Sequence, residues 1–176
     1  MRRLLKDKRG ISPVITTVIL VAVGIALAVA IGLWMSGLVA TFTRFEKLEV
    51  TSAYAISSSS SAKPGWNITV IVKNTGSADA TISTIMINGV PTTDTSVTGV
   101  TVYYTTSSTS TPTLFNPNTG VSLPVGSIAT FTIDINGPST TTLGKIGSTT
   151  ATSGITLNIV LHSAAGKDYP ASVTLP

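Results

Sequence analysis

The pattern of apolar and polar positions divides the chain into unlike parts. From Ile11 to Thr43 runs ISPVITTVILVAVGIALAVAIGLWMSGLVATFT, without a single charge, and beyond Val50 the pattern becomes short alternations of apolar and hydroxyl side chains. The first run exceeds the roughly 20 apolar residues that cross a bilayer core. It is apolar on every side, so lipid or other helices must surround it. Ser12 suits a helix cap and Pro13 the first helical position, where a missing N–H costs nothing. The same proline separates residues 1–10 from the apolar run, since a helix could not pass through it undamaged. A helix from Ser12 to about residue 48 would be on the order of 55 Å long, well beyond a bilayer core.

Period-two alternation predicts strands in the outer region. Leu48, Val50, Tyr54 and Ile56 are expected on one face, with the serine run Ser57–Ser61 ending that segment. Trp66, Ile68, Val70 and Val72 oppose Asn67, Thr69 and Lys73. Val100, Val102 and Tyr104 alternate with Thr101, Tyr103 and Thr105; Phe131, Ile133 and Ile135 alternate with Thr130, Thr132 and Asp134. Ile155, Leu157, Ile159 and Leu161 form another apolar set, and Val173 and Leu175 a last short one. Asn74-Thr75-Gly76, Asn88-Gly89 and Asn136-Gly137-Pro138 read as turns, and Ser107–Gly120 as a surface loop. Seven or eight short strands without a second helical pattern imply an antiparallel sandwich with one dry interior. The expected class is α+β: a long hydrophobic N-terminal helix, then an all-β antiparallel sandwich.

Charge adds a third segment. Arg2, Arg3, Lys6, Lys8 and Arg9 outweigh Asp7, whereas the rest of the chain is neutral, so the pI near 9.6 reflects a short basic leader. No basic face for nucleic acid exists outside it, and nucleic acid is not an expected partner. Beyond Val50 only eight residues are charged while 45 are serine or threonine, so hydroxyls must hydrate this surface. Such a hydroxyl-rich surface also suits a glycosylated secreted protein. The chain has no cysteine, which removes disulfides and thiolate sites.

Within the apolar run, Gly24, Ala28, Gly32 and Ser36 recur every four residues. Small side chains at this spacing let neighbouring helices approach closely in lipid. Ala22, Ala26 and Ala30 form a second row. Trp34 and Phe42 suit either interfacial anchoring or a core where helix meets sandwich.

The junction Lys8-Arg9-Gly10 followed by Ile11-Ser12-Pro13-Val14-Ile15 resembles the N-terminus of archaeal type IV pilins, with their class III signal peptide, over about residues 6–35. The resemblance implies cleavage by a prepilin peptidase between Gly10 and Ile11. It also implies membrane insertion before assembly, then polymerisation by the pilus assembly machinery into a homo-oligomeric helical filament used for adhesion. Ile15 stands where bacterial pilins carry a glutamate, so no docking role for that carboxylate transfers. The segment VKNTGSADATISTIMING resembles strand pairs of immunoglobulin-like domains in archaeal surface proteins. On this reading residues 1–10 are a cleaved leader, 11–48 the helix and 49–176 the outer sandwich. The alternatives are an archaellum-type filament subunit, a surface-anchored binding module, and a soluble protein cleaved near Ala28 or Ala30. The uncharged run is longer than the usual 7–15-residue core of a signal peptide, which counts against the last.

Candidate chemistry is sparse. His162 is the one histidine, at a strand end where a polar edge role is expected. Asp79, Asp94, Asp134 and Asp168 are scattered, and neither a G-x-S-x-G nor a phosphate-binding glycine motif occurs. No catalysis, cofactor or metal is expected. Asn67-Ile68-Thr69 is a candidate N-glycosylation sequon on the polar face of a strand.

Overall fold

The computed structural model describes residues 13–58, 64–137 and 142–176, with the side chains of residues 40–43 left undescribed. The chain separates between Thr43 and Arg44 into two units. The first unit contains the helix α1, Pro13–Thr43, opening on the proline as its fixed φ favours. It ends before residue 48, where the sequence pattern places the boundary. The backbone of Phe45 and Lys47 is already hydrogen-bonded to a turn of the second unit, so the helix cannot run through them.

The second unit is a sandwich of antiparallel strands. One sheet has the order β1-β2-β8-β5-β6, built from β1 (Leu48–Ser58), β2 (Gly65–Asn74), β5 (Val100–Thr106), β6 (Thr109–Leu114) and β8 (Ile128–Asn136). The other has the order β12-β11-β3-β4, with β7 also paired to β3. Its strands are β3 (Ala80–Ile87), β4 (Val90–Pro91), β7 (Val121–Leu123), β11 (Thr156–Ser163) and β12 (Asp168–Thr174). Two short strands, β9 (Lys145–Ile146) and β10 (Thr149–Thr150), pair with each other. The short strands raise the count among the described residues above the seven or eight expected.

The alternation works as read on β2, β8 and β11, and β3, which the pattern does not single out, also turns an apolar set inward. Ile68, Val70 and Val72 of β2 and Phe131, Ile133 and Ile135 of β8 are buried, as are Ile82, Ile85 and Ile87 of β3 and Leu157, Ile159 and Leu161 of β11. Phe115 and Phe131 meet edge-on with centroids 6.2 Å apart, the arrangement that ring quadrupoles favour. Trp66 is buried with its indole N–H donating to the Pro176 carbonyl at 3.0 Å, so its polar atom is satisfied. Among the described residues, the buried apolar core runs from Leu48 to Leu175, all within the second unit.

Two expectations fail for local reasons. On β1 a register shift between Val50 and Ser52 leaves Thr51 as an extra residue. A bulge of one residue inverts the faces of a strand beyond it. Leu48 is therefore buried and Val50 half-buried, whereas Tyr54 and Ile56 turn outward and Ala53 and Ala55 take the inner positions. Within Ser107–Gly120, expected as a loop, β6 pairs with β5 as an edge strand. Its polar composition fits because the strand is exposed, and Pro112 is tolerated at an edge.

The turn expected at Asn88-Gly89 is a two-residue hairpin between β3 and β4, whose residues have φ of 53° and 79°, a left-handed pair.

Candidate assembly site

The exposed apolar surface of α1 is the largest unsatisfied feature of the described residues. Leu20 is 73% exposed, Leu33 70% and Trp34 65%, with no charge from Pro13 to Thr43. By length and composition, Pro13–Val39 is able to cross a membrane. Two of its hydroxyls are satisfied on the helix itself: Thr17 Oγ1 donates to the Val14 carbonyl at 2.9 Å and Ser36 Oγ to that of Leu33 at 3.0 Å. Ser36 thus behaves as a small residue with its polar atom folded back on its own helix.

Gly24, Ala28, Gly32 and Ser36 all lie within α1, and a Cβ added at Gly24 or Gly32 would meet nothing within 4 Å. At 100° per residue the stripe winds slowly round the helix. Leu20, Val23, Leu27, Ile31, Trp34 and Leu38 fall on another side, where steps of three or four residues build a continuous bulky ridge. The ridge is as legible in the spacing as the small-residue stripe, yet attention to small residues alone misses it. Trp34 belongs to it and is exposed.

A second feature is invisible in the sequence. Immediately after α1, Phe45–Lys47 is bound to the β2–β3 turn: Thr75 and Gly76 amides donate to the Lys47 carbonyl, and Ser77 and Ala78 amides to that of Phe45. The Phe45 amide donates to Ser77 Oγ at 3.0 Å. On the other side Lys167 Nζ donates to the Glu46 carbonyl at 2.7 Å and Tyr169 Oη to Glu46 Oε1 at 3.4 Å. Burial, reinforced by the Glu46 carboxylate, raises the Tyr169 hydroxyl above its ordinary value of 10.0, although hydrogen bonding at Leu48 works the other way. The buried Asn74 side chain holds the turn in shape, donating to the Ala78 and Leu123 carbonyls and accepting from the Gly76 amide. Asn74-Thr75-Gly76 is legible as a turn from its residues; that it grips the segment after the helix depends on a contact some 30 residues distant.

The remaining candidates stay apart. Gly10 and Ile11 lie outside the described residues. Asn67 is half-buried on the outer face of β2, between Ile56 of β1 and Asp134 of β8. His162 is not solitary: its Nδ1 lies 2.5 Å from Asp168 Oδ1, across the β11–β12 pair. No group of three His, Cys, Asp or Glu capable of holding a metal occurs among the described residues. Asp94 accepts from the Ser96 amide at 2.7 Å, and the Ser96 hydrogen bonds lower its pKa: a turn role.

No family model and no curated protein matches the sequence. Among solved structures the chain is similar to the archaellum periplasmic stator protein FlaG from Sulfolobus acidocaldarius, at 14% identity and a TM-score of 0.35, covering 73% of this chain and 99% of that one. It is also similar to the Iho670 flagellar-like filament, at 14% identity and a TM-score of 0.33, covering 93% and 98%. Scores this low decide nothing about function.

Proposed function

We propose that this chain is the structural subunit of an extracellular archaeal type IV pilus, polymerising through α1 and serving adhesion. The observation that carries the reading is a charge-free helix whose described side chains are all exposed, joined to a sandwich with a dry core of its own. Exposed apolar surface costs about 25 cal/mol per Å² in water, so a helix this long needs lipid or other helices around it. Its 31 residues span about 46 Å, against roughly 30 Å of bilayer hydrocarbon. The surplus suits a helix held first in a membrane and then among copies of itself.

The leader supplies the switch between these states. Its positive charges favour the cytoplasmic side, and a prepilin peptidase cut between Gly10 and Ile11 would remove them, freeing an apolar end to leave the bilayer. In the bundle, the bulky ridge of one helix would seat against the small-residue track Gly24, Ala28, Gly32, Ser36 of a neighbour. The sandwiches would form the outer sheath.

Electron microscopy of material sheared from cells, with N-terminal sequencing of its subunits, tests the reading. Filaments whose subunit begins at Ile11 are expected. A native protein beginning at Met1, without filaments, would make it a tethered module; a start near residue 29 or 31 would make it a soluble secreted protein.

A further inference from the structure

The outer face of the five-stranded sheet carries side chains in straight rows. Register places Tyr54 of β1, Thr69 of β2, Thr132 of β8, Tyr103 of β5 and Leu114 of β6 side by side. At about 4.8 Å between strands, the two tyrosines stand roughly 14 Å apart with two short threonines between them. The profile across this row is tall, short, short, tall, which makes a shallow trough over β2 and β8; in the adjacent rows Ile56 and Thr101, and Ser52 and Thr105, stand at the wall positions. Asn67 and Asp134 lie opposite each other one row along, and Ile71 and Thr130 one row the other way.

The trough is poor in charge. In these rows Asp134 is the one charged side chain, and the next charges, Glu49 opposite Lys73, lie beyond the Ser52–Ile71 row. Beside it, a cavity of about 150 Å³ between the β4–β5 loop and β6 shares Thr101 and Leu114 with the same face. Thr92 and Thr93 add hydroxyls to that cavity, and Phe115 and Pro117 give it an apolar floor.

We propose that this trough binds a neutral polysaccharide. Sugar rings present apolar C–H faces and hydroxyl edges. Tyrosine rings on the walls cover the former while offering a polar tip; threonine hydroxyls, an amide and one carboxylate on the floor donate to and accept from the latter. A nucleic acid or other polyanion would need cationic side chains along the trough, and Lys73 stands only at its end. A protein partner would need a larger contiguous apolar centre than Ile56, Ile71 and Leu114 supply, since each stands in a different row. The idea names the partner class for the adhesive filament and rests on that reading for its biological use, although binding itself does not require assembly.

Asn67 lies in the trough, so a glycan attached there would compete. The test therefore uses the full chain made in a host without N-glycosylation and held in detergent micelles. Its migration is followed by native affinity electrophoresis through gels containing soluble starch, dextran, mannan or hydroxyethyl cellulose, with dextran sulfate as the charged control. At least one neutral polymer is expected to retard the protein. Tyr54→Ala and Tyr103→Ala should each weaken retardation roughly three- to tenfold, the scale of one lost ring contact. Tyr54→Phe keeps the ring and should bind nearly as the parent does, and Thr156→Ala on the other sheet should change nothing. Circular dichroism identifies any variant that fails to fold. Retardation by dextran sulfate alone, by no neutral polymer, or equally in parent and both alanine variants overturns the proposal. Filament counts in a strain carrying Tyr54→Ala report assembly separately, and normal filaments are expected there.

Discussion

Gly76→Ala probes the grip on the segment just after the helix. A Cβ built at Gly76 would sit 2.6 Å from both the Lys47 nitrogen and the Phe45 carbonyl oxygen, and 3.2 Å from Asn74 Oδ1. The first two are backbone atoms, which cannot swing aside as the end of a side chain would. Gly76 is not among the glycines with positive φ, so alanine meets no conformational penalty of its own. Phe45–Lys47 must then move away from the turn, weakening four amide bonds to the Phe45 and Lys47 carbonyls and the Phe45–Ser77 bond. Each such bond is worth about 0.5–1.5 kcal/mol, but water partly replaces exposed ones, so a net loss of about 2 kcal/mol is expected. For a domain of this size that lowers Tm by roughly 6–10 °C.

The comparison that isolates the cause uses two soluble chains, residues 44–176 and residues 48–176, each with and without the substitution and melted by circular dichroism. In the shorter chain the obstructing atoms of Phe45 and Lys47 are gone. There alanine should be neutral or stabilise by about 0.4–1 kcal/mol, because it restricts the unfolded chain. A change of sign between the two backgrounds is the expected result. An equal loss in both would place the damage in the Asn74 turn itself, and no loss in the longer chain would mean the grip yields freely.

Residues 44–176 should be soluble and β-rich when made alone, because this unit holds a buried core of its own from Leu48 to Leu175; a disordered far-ultraviolet spectrum would contradict the two-unit architecture. In the native host, Gly32→Leu should leave synthesis, insertion and processing intact but sharply reduce filaments, since overpacking costs about 1–3 kcal/mol and recurs at every equivalent contact. Thr156→Lys, on the exposed face of β11, should do much less, and normal filament counts for Gly32→Leu would move the interface to another side of the helix. Raising the pH above 10.0, the ordinary Tyr169 value, should lower Tm in residues 44–176: a raised folded pKa means the fold holds this proton more tightly, so its contribution is complete below that value and lost through the folded pKa. Tyr169→Phe should flatten that part of the alkaline melting profile, and an unchanged slope would assign the loss elsewhere.

The division into an apolar helix and a β domain is legible because both properties are local. Thirty-three uncharged residues declare a dry environment whatever surrounds them, and side-chain alternation on β2, β5, β8 and β11 comes from the two-residue period of a strand. Asn88-Gly89 names its hairpin because two consecutive left-handed residues strongly favour that pair. Pairing between distant segments is not local, and there the sequence pattern misleads. Thr51 gives no sign of being a bulge, since only the register of β1 against β2 creates the extra residue, yet it turns Tyr54 and Ile56 from core to surface. Ser107–Gly120 looks like a loop because an edge strand needs no apolar face; β5 beside it supplies the backbone partners. The end of α1 at Thr43 likewise depends on a turn from Thr75 to Ala78 that captures the next residues. The trough between Tyr54 and Tyr103 exists only once β2 and β8 have come between β1 and β5. Backbone hydrogen bonding between strands far apart in the chain carries little signature in either strand's composition, and the tertiary fold alone chooses the partner.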